Sequence, residues 1–121
     1  MADFRKLRVW VAAQELAREA FLCSTRMRGF GSTTLGNQLL RAAMSVPANI
    51  AEGSAHSSRK EFARFLRYAI ASTAEVETHV MLGRDLELIK ESDSFSLISR
   101  TIRIRKMLLA LHKKVKSSVR P

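Results

Sequence analysis

Ser58-Arg59-Lys60-Glu61-Phe62-Ala63-Arg64-Phe65-Leu66-Arg67-Tyr68-Ala69-Ile70-Ala71-Ser72-Thr73-Ala74-Glu75-Val76 is the stretch that decides the fold. Phe62, Leu66, Ala69, Thr73, Val76 and, beyond it, Val80 recur in steps of three and four, which lines up one face of an α-helix. Ser58 followed by Glu61 reads as a capping box, the hydroxyl accepting from the first turn and the carboxylate returning a bond. The pattern predicts a helix to about Leu88, roughly 30 residues or some 45 Å. Gly83 near its end costs some helical stability without breaking it.

Working outward, Leu35, Leu39, Ala42, Ala43 and Val46 give a preceding helix that begins near Ser32, Thr33 or Thr34, all plausible caps. Pro47 inside this pattern removes an N–H and crowds the carbonyl of Ala43, so a kink or break is expected. Ile50 and Ala51 continue the spacing and Gly53 stops it. Before it, Val9, Ala13, Leu16, Ala20 and Cys23 mark a first helix from about Leu7 to Met27, closed by Gly29-Phe30-Gly31. After it, a fourth helix starts in Glu91-Ser92-Asp93-Ser94 and carries Leu97, Ile104, Leu108, Leu111 and Val115 on one face. Phe95, Ile98, Ile102 and Leu109 fall on a second apolar face, roughly opposite, which can meet a second subunit. Long helices with short connections predict an all-α, antiparallel up-down-up-down four-helix bundle, one domain over residues 1–121.

Composition narrows the function. Five Gly and two Pro among 121 residues leave few breaks, and 46% hydrophobic residues supply a core. The single cysteine, Cys23, forms no intrachain disulfide and fits a reducing cytoplasm; on an apolar helix face it reads as a buried, inert thiol. Met1 to Trp10 holds no apolar stretch of signal-peptide length and no run reaches a membrane span, so no membrane partner is expected. The phosphate-loop, dinucleotide-binding, zinc-protease and serine-elbow patterns are all absent, and no enzyme is predicted. Glu75 and His79 share a helix face at i, i+4, but the repeated carboxylate and imidazole ligands of a di-metal bundle are missing, so neither metal nor cofactor is expected.

Two polar stripes and one basic helix remain. Arg41, Ser45, Asn49 and Glu52, with Gln38, step along the second helix; Tyr68, Ser72 and Glu75, with Glu61, Arg64 and His79, step along the third. Their Ser, Asn and Tyr content favours hydrogen bonding between helices or subunits over a ligand site. The net charge is +10, which favours polyanions. All eleven acids lie at or before Asp93, whereas eight cations and no acid fall between Arg100 and Arg120. Of these, Arg100, Arg103, Lys106, Lys113, Lys114 and Lys116 are the candidate phosphate neutralisers for RNA or DNA, and Arg59, Lys60, Arg64 and Arg67 form a second cluster. Cations at a helix C-terminus also simply complement its dipole. Aromatic residues are few and mostly at core spacing, which argues against a single-strand stacking platform. A protein-interaction scaffold, with the basic helix a mere solvated surface, is the alternative.

Leu40-Arg41-Ala42-Ala43-Met44-Ser45-Val46-Pro47-Ala48-Asn49-Ile50-Ala51-Glu52-Gly53, with its proline inside a helix, resembles the signature of the four-helix-bundle proteins encoded by intervening sequences in bacterial 23S ribosomal RNA genes. Phe4-Arg5-Lys6-Leu7-Arg8-Val9-Trp10 and Ser58 to Leu66 are similar to the same family. The resemblance implies a cytoplasmic bacterial protein, an up-down bundle and a homo-oligomer, a pentamer, with no known catalysis. This chain departs from the family pattern at Ser54-Ala55-His56-Ser57, where an arginine is usual, and at Ala71, where a glycine is; its last helix is also more basic.

Overall fold

The computed structural model describes residues 3–119 and contains four helices: α1 Arg8–Arg26, α2 Ser32–Ala55, α3 Arg59–Asp85 and α4 Glu91–Ser117. A single 3-10 turn, Phe4–Lys6, precedes them. Arg120, counted above among the eight C-terminal cations, lies outside the described residues. Helices consecutive in sequence pack on one another, and α1 meets α4 to close the ring. Each pair runs antiparallel. Gly36 near the start of α2 faces Ser24 and Met27 at the end of α1, and Gly53 at the end of α2 faces Phe62 and Phe65 at the start of α3. Arg26 pairs with Asp93 across α1 and α4.

The core is the predicted one. Leu16, Leu39, Val46, Ile50, Leu66, Val76, Val80, Leu97, Ile104 and Leu108 are fully or almost fully enclosed. Pro47 does not break α2, which runs through it. The missing bond and ring clash cost about 3 kcal/mol. The burial of Val46 and Ile50 on either side contributes about 3–6 kcal/mol, enough to hold the turn.

Three helix ends differ from expectation. The N-cap of α2 is Gly31, not Ser32, Thr33 or Thr34; at φ 86° the position favours glycine, which brings no side-chain cap. Gly53 does not stop α2, which continues to Ala55. Gly53 is instead where α3 comes closest, since a Cβ there would lie 2.7 Å from the Cβ of Phe65. α3 ends at Asp85 rather than near Leu88. The chain reverses there, with Glu87 at φ 60°, and the amides of Leu88 and Ile89 both donate to the Gly83 carbonyl. Ile89 lies over Gly83, filling the space that a side chain would need. The capping box is only half formed: Ser58 Oγ accepts from the Glu61 amide at 3.2 Å, while the Glu61 carboxylate turns to Arg64.

Candidate nucleic-acid interface

Antiparallel packing brings the start of α1, the end of α2, the start of α3 and the end of α4 to one end of the bundle. Arg5, Lys6 and Arg8 come from the first segment, Arg59, Lys60, Arg64 and Arg67 from α3, and Lys113, Lys114 and Lys116 from α4. The acids in the same segments are Asp3, Glu52 and Glu61. Asp3 pairs with Arg5, and Glu61 with Arg64. The surplus is therefore strongly positive and solvent-facing.

Between α3 and α4 this end opens into a cleft of about 360 Å³ lined by Lys60, Glu61, Ala63, Arg64, Arg67, Lys116 and Val119. Beside it, His112 is half-buried, and its Nε2 is enclosed without a hydrogen-bond partner among the described residues. Burial lowers the His112 pKa below its ordinary value, and the charges of Arg67 and Lys116 push it the same way. A neutral imidazole is the form this surrounding favours.

Among the cations predicted on α4, Lys113, Lys114 and Lys116 lie at the cationic end. Arg103 and Lys106 are exposed further along the helix. Arg100 is turned to α1, 3.6 Å from carboxylate oxygens of both Glu15 and Glu19, so part of its charge is already answered. Arg105 is drawn inward: its Nε donates to Thr73 Oγ1 at 3.0 Å and its Nη2 to Glu77, tying α4 to α3.

Much of the polar stripe is internal stitching. Ser45 Oγ lies 2.6 Å from Ser72 Oγ, joining α2 to α3, and Asn49 Nδ2 donates to the Ser45 carbonyl at 2.8 Å. Arg41, Glu52 and Glu75 are exposed, and Tyr68 is 44% exposed. What the sequence reading missed is the surrounding of Tyr68. Phe65 and Tyr68 both lie against Arg64, and His56 stacks on Phe65, whereas helical spacing put Tyr68 on the polar stripe and did not join it to these neighbours. The i, i+4 spacing of Arg64 and Tyr68, next to Phe65, was the signal available.

Other chemistry finds little footing. Cys23 is buried, and burial together with Asp93 pushes its thiol up to about 11. Among the described residues no three His, Cys, Asp or Glu side chains converge as metal ligands, and no helix is long and apolar enough to cross a membrane.

Fold and charge together define a small basic four-helix bundle whose surplus cations collect at one end. More particularly, the chain belongs to the 23S rRNA-intervening sequence protein family, whose sequence profile matches residues 5–110. It is also similar to the crystal structure of a protein of unknown function from the S23 ribosomal protein family of Bacteroides thetaiotaomicron VPI-5482. That likeness has a TM-score of 0.78 at 24% identity, over 87% of this chain and 98% of the other, and speaks for the fold alone. No curated protein matches this chain.

Proposed function

We propose that this chain is a non-enzymatic bundle that binds nucleic acid through phosphate contacts at its cationic end, without reading base identity. The convergence of cations from α3 and α4 around their shared cleft, at the end of the bundle that also carries Arg5, Lys6 and Arg8, carries the reading. Each Lys or Arg that neutralises a phosphate releases a counterion, so affinity would fall steeply with salt.

The test is a salt titration of binding to short RNA, duplex DNA and heparin. Wild type is compared with a quadruple Lys60→Gln, Arg67→Gln, Lys113→Gln, Lys116→Gln variant and with Arg100→Gln. The quadruple variant is expected to lose about 3 from the log–log salt slope, at about 0.7–0.9 per lost phosphate contact. Arg100→Gln, already paired, leaves the slope unchanged. No binding near physiological salt, or an equal slope in the quadruple variant, would sink the proposal.

One observation favours a second reading, an interaction scaffold that meets copies of itself. Phe95, Ile102 and Leu109 stand 76%, 37% and 50% exposed along the outer side of α4, an apolar stripe with no cover in the single chain. Sedimentation run beside the titration decides it. A wild-type chain that stays monomeric, or an Ile102→Asp, Leu109→Asp variant with undiminished assembly, removes this stripe as the contact.

A further inference from the structure

On the α2 side of the cationic cleft lies a cluster that phosphate neutralisation does not require. His56, just beyond α2, stacks on Phe65 with ring centroids 5.2 Å apart and planes 16° from parallel. Phe65 meets Tyr68 edge to face at 5.5 Å. The Arg64 guanidinium carbon sits 5.1 Å from the Phe65 centroid and 5.5 Å from that of Tyr68. Its orientation is fixed at two corners: Nε donates to Glu61 Oε2 at 2.7 Å, and Nη1 donates to the Tyr68 hydroxyl at 2.9 Å. Of the five N–H donors of a guanidinium, three then remain free.

Arg64 thus belongs to two surfaces at once. It lines the cleft with Lys60, Arg67 and Lys116, and it spreads over the aromatic rings on the other side. A surface helix turn gains little from an aromatic left 44% exposed and clamped to an arginine. A flat, fixed cation beside an exposed ring, next to a row of phosphate-binding charges, is what an unpaired base stacks on. In a duplex the base faces are already stacked and cannot reach it.

Resting on the phosphate-binding reading above, we infer that Arg64, Tyr68 and the Phe65–His56 pair form a stacking subsite for an unpaired base of a single strand whose phosphates lie in the cleft. Stacking tolerates any base, so the subsite separates single strands from duplexes without conferring sequence specificity.

The experiment compares a short oligo(dA) with its abasic counterpart, identical in phosphate number, and with a duplex of the same charge, on the full chain. Wild type is expected to bind the base-bearing strand roughly ten-fold tighter than the abasic one. Tyr68→Leu removes that difference and Tyr68→Phe keeps most of it. The abasic affinity and the salt slope stay constant in all three proteins, whose melting curves report that they are folded. Equal binding of base-bearing and abasic strands by wild type overturns the subsite while leaving phosphate binding intact, as does a Tyr68→Leu variant that weakens both strands alike. Failure of every strand to bind would overturn both, so the two ideas fail separately.

Discussion

His112 sits on the last helix with its Nε2 enclosed and Arg67 and Lys116 beside it. Because the folded state holds its pKa below the ordinary 6.5, the unfolded chain takes up a proton that the folded chain refuses. Stability is then fully present above that ordinary value and is lost as pH falls through it toward the lower folded value. Thermal melts between about pH 7.5 and 5 are expected to show falling stability in wild type and a flatter profile in His112→Leu. A variant as steep as wild type would place the loss elsewhere. Cys23 makes a useful contrast. Its burial was legible, because a thiol at core spacing on a regular helix has one direction in which to point. The state of His112 was not, because it depends first on its burial in the folded bundle and then on the charge of Arg67, a residue of another helix.

At the scale of the helix, close approach rather than propensity decides the tolerance of α2 and α3. An alanine is worth about 1 kcal/mol more than glycine inside a helix. At Gly53, however, the added Cβ would press on the Cβ of Phe65, an atom fixed to its backbone, and overpacking of that kind costs about 1–3 kcal/mol. Gly53→Ala is therefore expected to lower the melting temperature; a rise would show that α3 shifts freely. The reading of helix bodies succeeded because period and burial coincide at Phe62, Leu66, Ala69, Thr73, Val76 and Val80. It faltered at the ends. Whether Gly83 is a weak point in a helix or the seat of a reversing chain depends on Ile89 folding back over it, which local pattern cannot reveal.

For the molecule as a whole, the cationic end is a product of topology. Sequence reading concentrated the site on α4 because its cations are contiguous there, and so it included Arg100, Arg103 and Lys106. The bundle places Lys113, Lys114 and Lys116 at the same end as Lys60, Arg64 and Arg67, some 50 positions earlier, and as Arg5, Lys6 and Arg8, with Arg103 and Lys106 further along α4. Once an up-down order was predicted, that grouping could have been drawn from it, since alternate helix ends must share a pole. The pairing of Arg100 with Glu15 and Glu19 could not, because it depends on how α1 and α4 are turned about their axes.

The thin contact between α1 and α4 carries a consequence for how the chain assembles. The broad interfaces join sequence neighbours, so most contacts close short loops and the chain is expected to fold fast. The α1–α4 contact alone joins distant segments, as Arg26 and Asp93, 67 positions apart, illustrate. It is also the smallest interhelix interface, and its ion pairs are partly exposed and weakened by salt. In native-state hydrogen exchange, α1 amides should open at lower free energy than those of α2 and α3, and the gap should widen with salt; uniform protection across the four helices would contradict this. The ring is then a chain of hairpins with one late seam, and an opening of that seam swings Arg5, Lys6 and Arg8 away from the other cations while α3 and α4 keep the cleft.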